Sequence, residues 1–308
     1  MRTSVQDMIA QSKGKKNKKF IEKLIPVILF LIASVSVLTT IGIVMTLIIE
    51  TITFFTRVPI TDFLLGTTWL PFSNKEAQFG IWPLIVGTLK VTAIAILVAV
   101  PIGLSAAIYL SEYATDNVRR VIKPVLEVLA GVPTIVYGFF ALTFVTPVLQ
   151  SLFPEIKIFN AISPGIVVGI MIIPMIASLS EDAMSSVPKS IRDGALAMGS
   201  TKFEVAMKIT VPAALSGIIA SVVLGISRAI GETMIVSLAA GSTPKFDGDF
   251  AGSIQTMTAY IVQVSKGDAG YGTTIYYSIY AVGFTLFLFT MAMNILAGYM
   301  SKRFREEY

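Results

Sequence analysis

The 308 residues are 54% hydrophobic and 14% charged, with a mean hydropathy of +0.78; soluble domains are less apolar, and about a quarter of their residues are charged. With no cysteine and no histidine, disulfides, thiol and imidazole chemistry and Cys/His metal sites are all excluded. The formal charge of +5 has to be read by position along a membrane chain, where it sets topology and does not imply nucleic acid.

Residues 1–25 form a basic tail with Lys13, Lys15, Lys16, Lys18, Lys19 and Lys23, suited to an anionic lipid surface or to specific recognition. An apolar run from Leu24 to Ile49 follows. It is longer than a signal-peptide core and has no small-residue cleavage site after a short one, so a first transmembrane helix is predicted at 26–53. An extracytoplasmic loop follows at 54–82, where Trp69 and Trp82 read as membrane-interface anchors rather than ligand platforms. The core, 83–299, is predicted to span the membrane at 83–110, 126–150, 162–180, 213–240 and 273–299, with a short C-terminal tail at 300–308.

All six spans read as helices, being apolar nearly all round and without the period-two alternation of a barrel. Pro101, Pro133, Pro147 and Pro174 predict kinks. With the N-terminus inside, 17 Lys and Arg fall in cytoplasmic segments and 5 outside, which places both termini in the cytoplasm. Lys90 lies about two turns into the second span, either snorkelling outward or attracting anions to the outer mouth. Arg119, Arg120 and Lys123 occupy loop 111–124. Glu181 and Asp182 either mark the exit of the fourth span or help to seat a partner there.

The longest cytoplasmic connection, 181–212, pairs Ser190 with Asp193 and Thr201 with Glu204, each acid three residues on. Two short capped helices are predicted, with Gly199 in the left-handed conformation between them. On the second, Phe203, Ala206 and Ile209 fall near one face, which either docks on a partner or packs beneath the bundle. The fifth span contains Arg228 and Glu232, whose four-residue spacing allows them to pair on one face. A mid-membrane charge costs about 2.5–3.5 kcal/mol on insertion scales. The pair either orients helices or handles a permeant anion, for which a guanidinium offers a planar two-pronged donor. Asp247, Asp249 and Asp268 lie in a glycine-rich outer loop, where solvated turns are expected.

Asp193-Gly194-Ala195, Gly199 four residues later, then Ile209, Val211 and Pro212 resemble the EAA motif of ABC importer permeases. Asp replaces Glu and Gly194 replaces the first Ala of that motif. The resemblance implies a coupling helix seated on a separate ATPase through Asp193, Gly194, Ala195, Gly199, Ile209 and Pro212. The chain has no G-x-x-x-x-G-K-[ST] loop, so ATP and its Mg²⁺ would be used by that partner and bound nowhere here.

Arg228-Ala-Ile-Gly-Glu-Thr233 and Leu129-Ala-Gly-Val-Pro-Thr-Ile-Val-Tyr-Gly138 resemble signatures of phosphate permeases. Trp69-Leu-Pro71, Gln78-Phe79-Gly80, Pro83 and Gly87-Thr88-Leu89 look more like the PstC than the PstA type. The resemblance implies an all-α, six-helix type I importer permease in a bacterial or archaeal cell membrane, the inner one where there are two. It would be non-catalytic, form half of a phosphate pathway through Arg228 and Glu232, and hold no metal. Implied partners are a homologous PstA-type permease, two copies of a PstB-type ATPase, an extracytoplasmic PstS-type phosphate-binding protein and membrane lipid, with no nucleic acid. The alternatives are a PstA-type or other oxyanion permease, or an ion-coupled secondary transporter. The last would show related halves with broken helices, and no internal repeat is visible. An intramembrane enzyme would need a paired Ser, Asp or Glu motif, and none is present.

Overall fold

The computed structural model describes the backbone of residues 16–73 and 76–303, and the side chains from 24 to 303 within that range except 268 and 301. Residues 1–15 and 304–308, which carry part of the basic tail and of the C-terminal charge, lie outside the described residues, as does Lys75. The chain divides into two compact units, Met1–Glu50 and Thr51–Tyr308.

The first unit is the greater part of helix α1, Lys16–Phe55. The hydroxyls of Ser34, Thr39, Thr40 and Thr46 each donate to the carbonyl four residues back, at 2.7–3.0 Å, which satisfies them inside the helix as a hydrocarbon surrounding requires.

The second unit opens with the end of α1 and the loop that follows it. This loop holds α2 (Ile60–Leu65) and a short antiparallel pair, β1 (Trp69–Leu70) and β2 (Gln78–Phe79), with Trp69 opposite Phe79. Trp69 is 1% exposed and lies edge-on to Phe63, Phe79 and Tyr260, with ring centroids 4.9–6.3 Å apart. It is therefore the core of this loop and not an interface anchor. Trp82 is half-exposed, and its Nε1 donates to the Leu64 carbonyl at 2.8 Å.

Helix α3 (Trp82–Ile108) ends in a wide turn, Tyr109–Tyr113. The third span is in pieces: α4 (Asp116–Gly131) stops before Pro133, and α5 (Thr134–Phe140) and α6 (Thr146–Leu152) continue it through a second wide turn. Pro133 supplies no N–H and holds Val132 extended, which ends the preceding helix. The Tyr137 hydroxyl bridges the break to the Leu129 carbonyl at 2.8 Å. The membrane-length part therefore runs Thr134–Leu152 where 126–150 was expected.

Helix α7 is Ile162–Ser185, and the connection after it carries α8 (Lys189–Ala197), α9 (Lys202–Val205) and α10 (Val211–Ala213). The fifth span begins with α11 (Leu215–Ile230), breaks at Gly231–Thr233 and resumes as α12 (Met234–Ala239). Helix α13 (Met257–Gln263) and the last span, α14 (Thr274–Arg303), follow.

Among the described residues, five helices are long and apolar enough to cross a membrane; a sixth is reached when α11 is counted with Lys202–Ala213, to which it is bent by 72°. At the centre α3 packs on α7, burying Val91, Ala95, Ala99, Val168, Ile172 and Ile176. The approach is close because Gly165 and Gly169 lie on the contact. A Cβ on Gly169 would meet the Ala95 carbonyl at 2.8 Å, the small-residue packing by which helices associate in lipid.

Candidate substrate pathway and coupling surface

The connection between α7 and α11 is built by its caps. Helix α8 starts at Lys189 because Pro188 precedes it with φ −57°; Ser190 is therefore inside the first turn and does not cap it, contrary to expectation. Its other end is a Schellman turn: the Gly199 N–H donates to the Leu196 carbonyl at 3.0 Å and the Ser200 N–H to the Ala195 carbonyl at 3.2 Å. Gly199 carries the φ of +90° that this closure needs. Helix α9 opens on the predicted capping box, Thr201 with Glu204.

The Thr201 backbone N–H, together with the Thr201 hydroxyl and Lys208, lowers the Glu204 carboxyl pKa to about 2. Since the folded pKa lies below the ordinary 4.5, this contribution is complete above that value and is lost as pH falls towards about 2.

Asp193, Gly194 and Gly199 are exposed, as are Leu196, Met198, Phe203 and Met207. Phe203 does not share a face with Ala206 and Ile209 as expected: it is exposed, Ala206 is fully buried and Ile209 is half-buried. The wide turn at Ala206–Thr210 offsets the helical register between them. Pro212 sits in α10 at the bend. The connection is tied to the bundle through Arg192, which pairs with Glu112 at 3.2 Å and donates to the Met184 carbonyl.

The acids at the end of α7 do more than mark a membrane exit. Glu181, 1% exposed, pairs with Lys123 and lies 3.6 Å from Arg119, and its Oε1 accepts from the Ser185 hydroxyl at 3.0 Å. Asp182 pairs with Lys123 at 3.3 Å. The Glu181 carboxylate against Lys123 holds that ammonium above the usual lysine range. The cluster joins residues far apart in sequence, Lys123 and Asp182 being separated by 59 positions, which spacing alone does not reveal.

Arg228 and Glu232 are not a pair. Helix α11 ends at Ile230 and Gly231 caps it, so the four-residue spacing no longer lies on one continuous helix. The Glu232 carboxylate instead accepts from the N–H groups of Thr233, Met234 and Ile235 at 3.0–3.3 Å, starting α12. Its own carbonyl accepts from the buried Thr258 hydroxyl at 2.6 Å. Arg228 is exposed in the last turn of α11, and its side chain makes no hydrogen bond or ion pair among the described residues. It lines a cavity of about 310 Å³ with residues of α4 and α7, among them Lys123, Glu127, Pro174 and Ser178.

Lys90 neither snorkels nor offers an open charge. It is 6% exposed, pairs with Asp247 at 3.1 Å, donates to the Asp249 carbonyl at 2.7 Å and lies 5.3 Å from the Phe250 ring centroid. Lys90 holds the Asp247 carboxyl below its usual range. Asp247 and Asp249 also order the loop by accepting backbone N–H groups. The loop is thus pinned to α3, and Asp247 and Asp249 are not merely solvated; the Asp268 side chain lies outside the described residues.

The model of the binding-protein-dependent transport system inner membrane component family matches residues 99–306. A probable ABC transporter permease protein, YqgH, of Bacillus subtilis is 34% identical over 245 residues, covering 79% of this chain and 78% of that protein. A phosphate transport system permease protein, PstC, of Xylella fastidiosa is 33% identical over 263 residues, covering 79% of each. Among solved structures, an inward-facing MetNI methionine ABC transporter chain superposes with a TM-score of 0.57 at 15% identity, covering 73% of this chain and 98% of that one. A chain of a bacterial alginate ABC transporter gives 0.55 at 14%, covering 85% and 96%. These two likenesses concern the fold.

Proposed function

Because the chain belongs to the binding-protein-dependent transport system inner membrane components, and is thus a membrane protein and a non-catalytic permease, we propose that it is the PstC-type permease of an importer for inorganic phosphate. The observation that carries the substrate is the likeness to PstC over 79% of both chains. Arg228, which makes no hydrogen bond or ion pair among the described residues and lines a cavity among the spans, supports it physically, since a guanidinium suits a tetrahedral oxyanion. A homologous permease completes the pathway and an extracytoplasmic binding protein delivers the anion. Two ATPase subunits seat on Asp193, Gly194, Ala195 and Gly199, with Ile209 and Pro212 setting the bend behind them. Glu232 serves the pathway indirectly, by fixing the break at which Arg228 ends its helix. The reading is tested in vesicles holding the complete complex: phosphate uptake should require both ATP and the binding protein. Uptake without the binding protein would refute it.

With 17 basic residues in the inner segments against 5 outside, both termini are proposed to be cytoplasmic. The absence of native cysteine makes labelling clean. Cysteines at Ser73 and Asp249 should react with an impermeant reagent in intact cells, and one at Lys189 should not. Reaction at Lys189 would reverse the topology.

Lys90 is proposed as a loop pin. Lys90→Met should destabilise the complex by about 1–2 kcal/mol, the scale of charge-assisted hydrogen bonds to a half-exposed partner, and leave the KM for phosphate unchanged. Thermal unfolding and uptake curves measure the two effects; a raised KM at unchanged stability would return Lys90 to the outer mouth as an attracting charge.

A further inference from the structure

Arg228 shares its cavity with a second ionisable group that makes no hydrogen bond or ion pair among the described residues. Lys123, Leu126, Glu127 and Ala130 line one wall, and their spacing puts them along a single stripe of α4. Lys123 reaches the cavity already balanced by Glu181 and Asp182. Glu127 does not: it is exposed, and its carboxylate makes no hydrogen bond or ion pair among the described residues. Apart from Ser178, the rest of the lining is apolar. A cavity that served only to attract anions would be weakened by an uncommitted carboxylate on its wall.

We propose that Glu127 is the group by which this cavity accepts an oxyanion that still carries a proton and rejects one that carries none. An ionised carboxylate can only accept hydrogen bonds. Phosphate and arsenate keep a hydroxyl at neutral pH, so they can donate to Glu127 while their charged oxygens take the fork of Arg228. Sulfate has no proton to give; its oxygens would face the carboxylate as acceptor against acceptor and charge against like charge. A site that pairs with a ligand hydroxyl discriminates strongly against the analogue without one, because its polar group is left unpaired. The volume, about 310 Å³, leaves room for a small tetrahedral anion with water.

The inference rests on the pathway reading of Arg228, and the experiment separates the two. Radiolabelled phosphate is equilibrated with the purified, nucleotide-free complete complex in the absence of the binding protein, with arsenate or sulfate as competitor. In the wild type arsenate should displace phosphate and sulfate should not. In Glu127→Gln sulfate should compete at least about tenfold better, the scale of one charge-assisted hydrogen bond, with arsenate little changed. Glu127→Asp, which keeps the acceptor on a shorter stem, should fall between them and serves as the readout if the glutamine variant does not assemble.

An unchanged ratio of sulfate to arsenate competition in these variants, or no phosphate bound by the wild type, overturns the selectivity assignment. If the ratio is unchanged while Arg228→Gln loses binding, selectivity alone fails and the pathway reading stands. Unchanged phosphate binding in Arg228→Gln would remove the pathway reading itself.

Discussion

Arg228→Gln should leave an assembled complex that imports phosphate at least about tenfold more slowly per complex than the wild type. The magnitude comes from the hydrogen bonds a guanidinium makes to an anion, about 1.5–3 kcal/mol each when a charged group is involved. Assembly should survive because Arg228 makes no hydrogen bond or ion pair among the described residues, so its removal strands no buried partner. Arg228→Lys restores the charge without the planar fork and should recover only part of the rate. Glu232 behaves differently. Its carboxylate receives three backbone N–H groups at the start of α12; glutamine keeps an acceptor oxygen there, whereas alanine leaves those donors without a partner. Glu232→Ala should therefore reduce the yield of folded complex and Glu232→Gln should not. Uptake in membrane vesicles, normalised to assembled complex, separates the two residues. A wild-type rate in Arg228→Gln would leave the arginine with no part in passage.

The contrast between these neighbours shows where sequence reasoning reaches and where it stops. Apolar runs, basic flanks and the lack of barrel periodicity made the spans legible, because lipid leaves the backbone few options. Breaks within spans are another matter. Arg228-Ala-Ile-Gly-Glu-Thr reads as one helix while apolar residues continue on both sides, and the four-residue spacing then suggests a pair. The break is signalled only by Gly231, which ends α11, and by Glu232 and Thr233, which can accept N–H groups at a new helix start. Pro133 announced a kink, but not that the segment before it would be a separate helix beginning at Asp116.

Contacts distant in sequence stayed hidden for a simpler reason. Lys123 meets Glu181, and Lys90 meets Asp247; each pairing depends on which helices become neighbours, and apolar periodicity without an amphipathic stripe does not say. Glu127 was passed over because it begins an apolar stretch and matches no motif. Its importance arises only once α4, α7 and α11 close one cavity. Local order was more readable: Thr201 with Glu204 forms the expected box, and Gly199 takes the left-handed turn, although Ser190, read the same way, lies inside the first turn of α8 because Pro188 takes the position before it.

Gly199→Val should release the ATPase subunit from the purified complex by several-fold or more while the spans stay folded. At φ +90° a residue with a Cβ is strained by about 1–2 kcal/mol, and a β-branched one more. The strain falls on the Schellman turn that sets α8 against α9, and the connection is anchored to the bundle elsewhere, at Arg192 and Glu112. A Cβ at Gly199 would meet nothing within 4 Å, so the effect is conformational and not a clash inside this chain. Gly194 provides the complementary test. It lies within α8, is exposed, and its Cβ would also meet nothing within 4 Å. Gly194→Ala should be tolerated and should firm the helix by roughly 1 kcal/mol, whereas Gly194→Trp adds bulk to the exposed surface without backbone strain. If that surface seats the ATPase, the tryptophan should loosen it as Gly199→Val does, by a different route, and the alanine should not. Retention of the ATPase subunit, with transport-linked hydrolysis intact, in both Gly199→Val and Gly194→Trp would place the docking surface elsewhere.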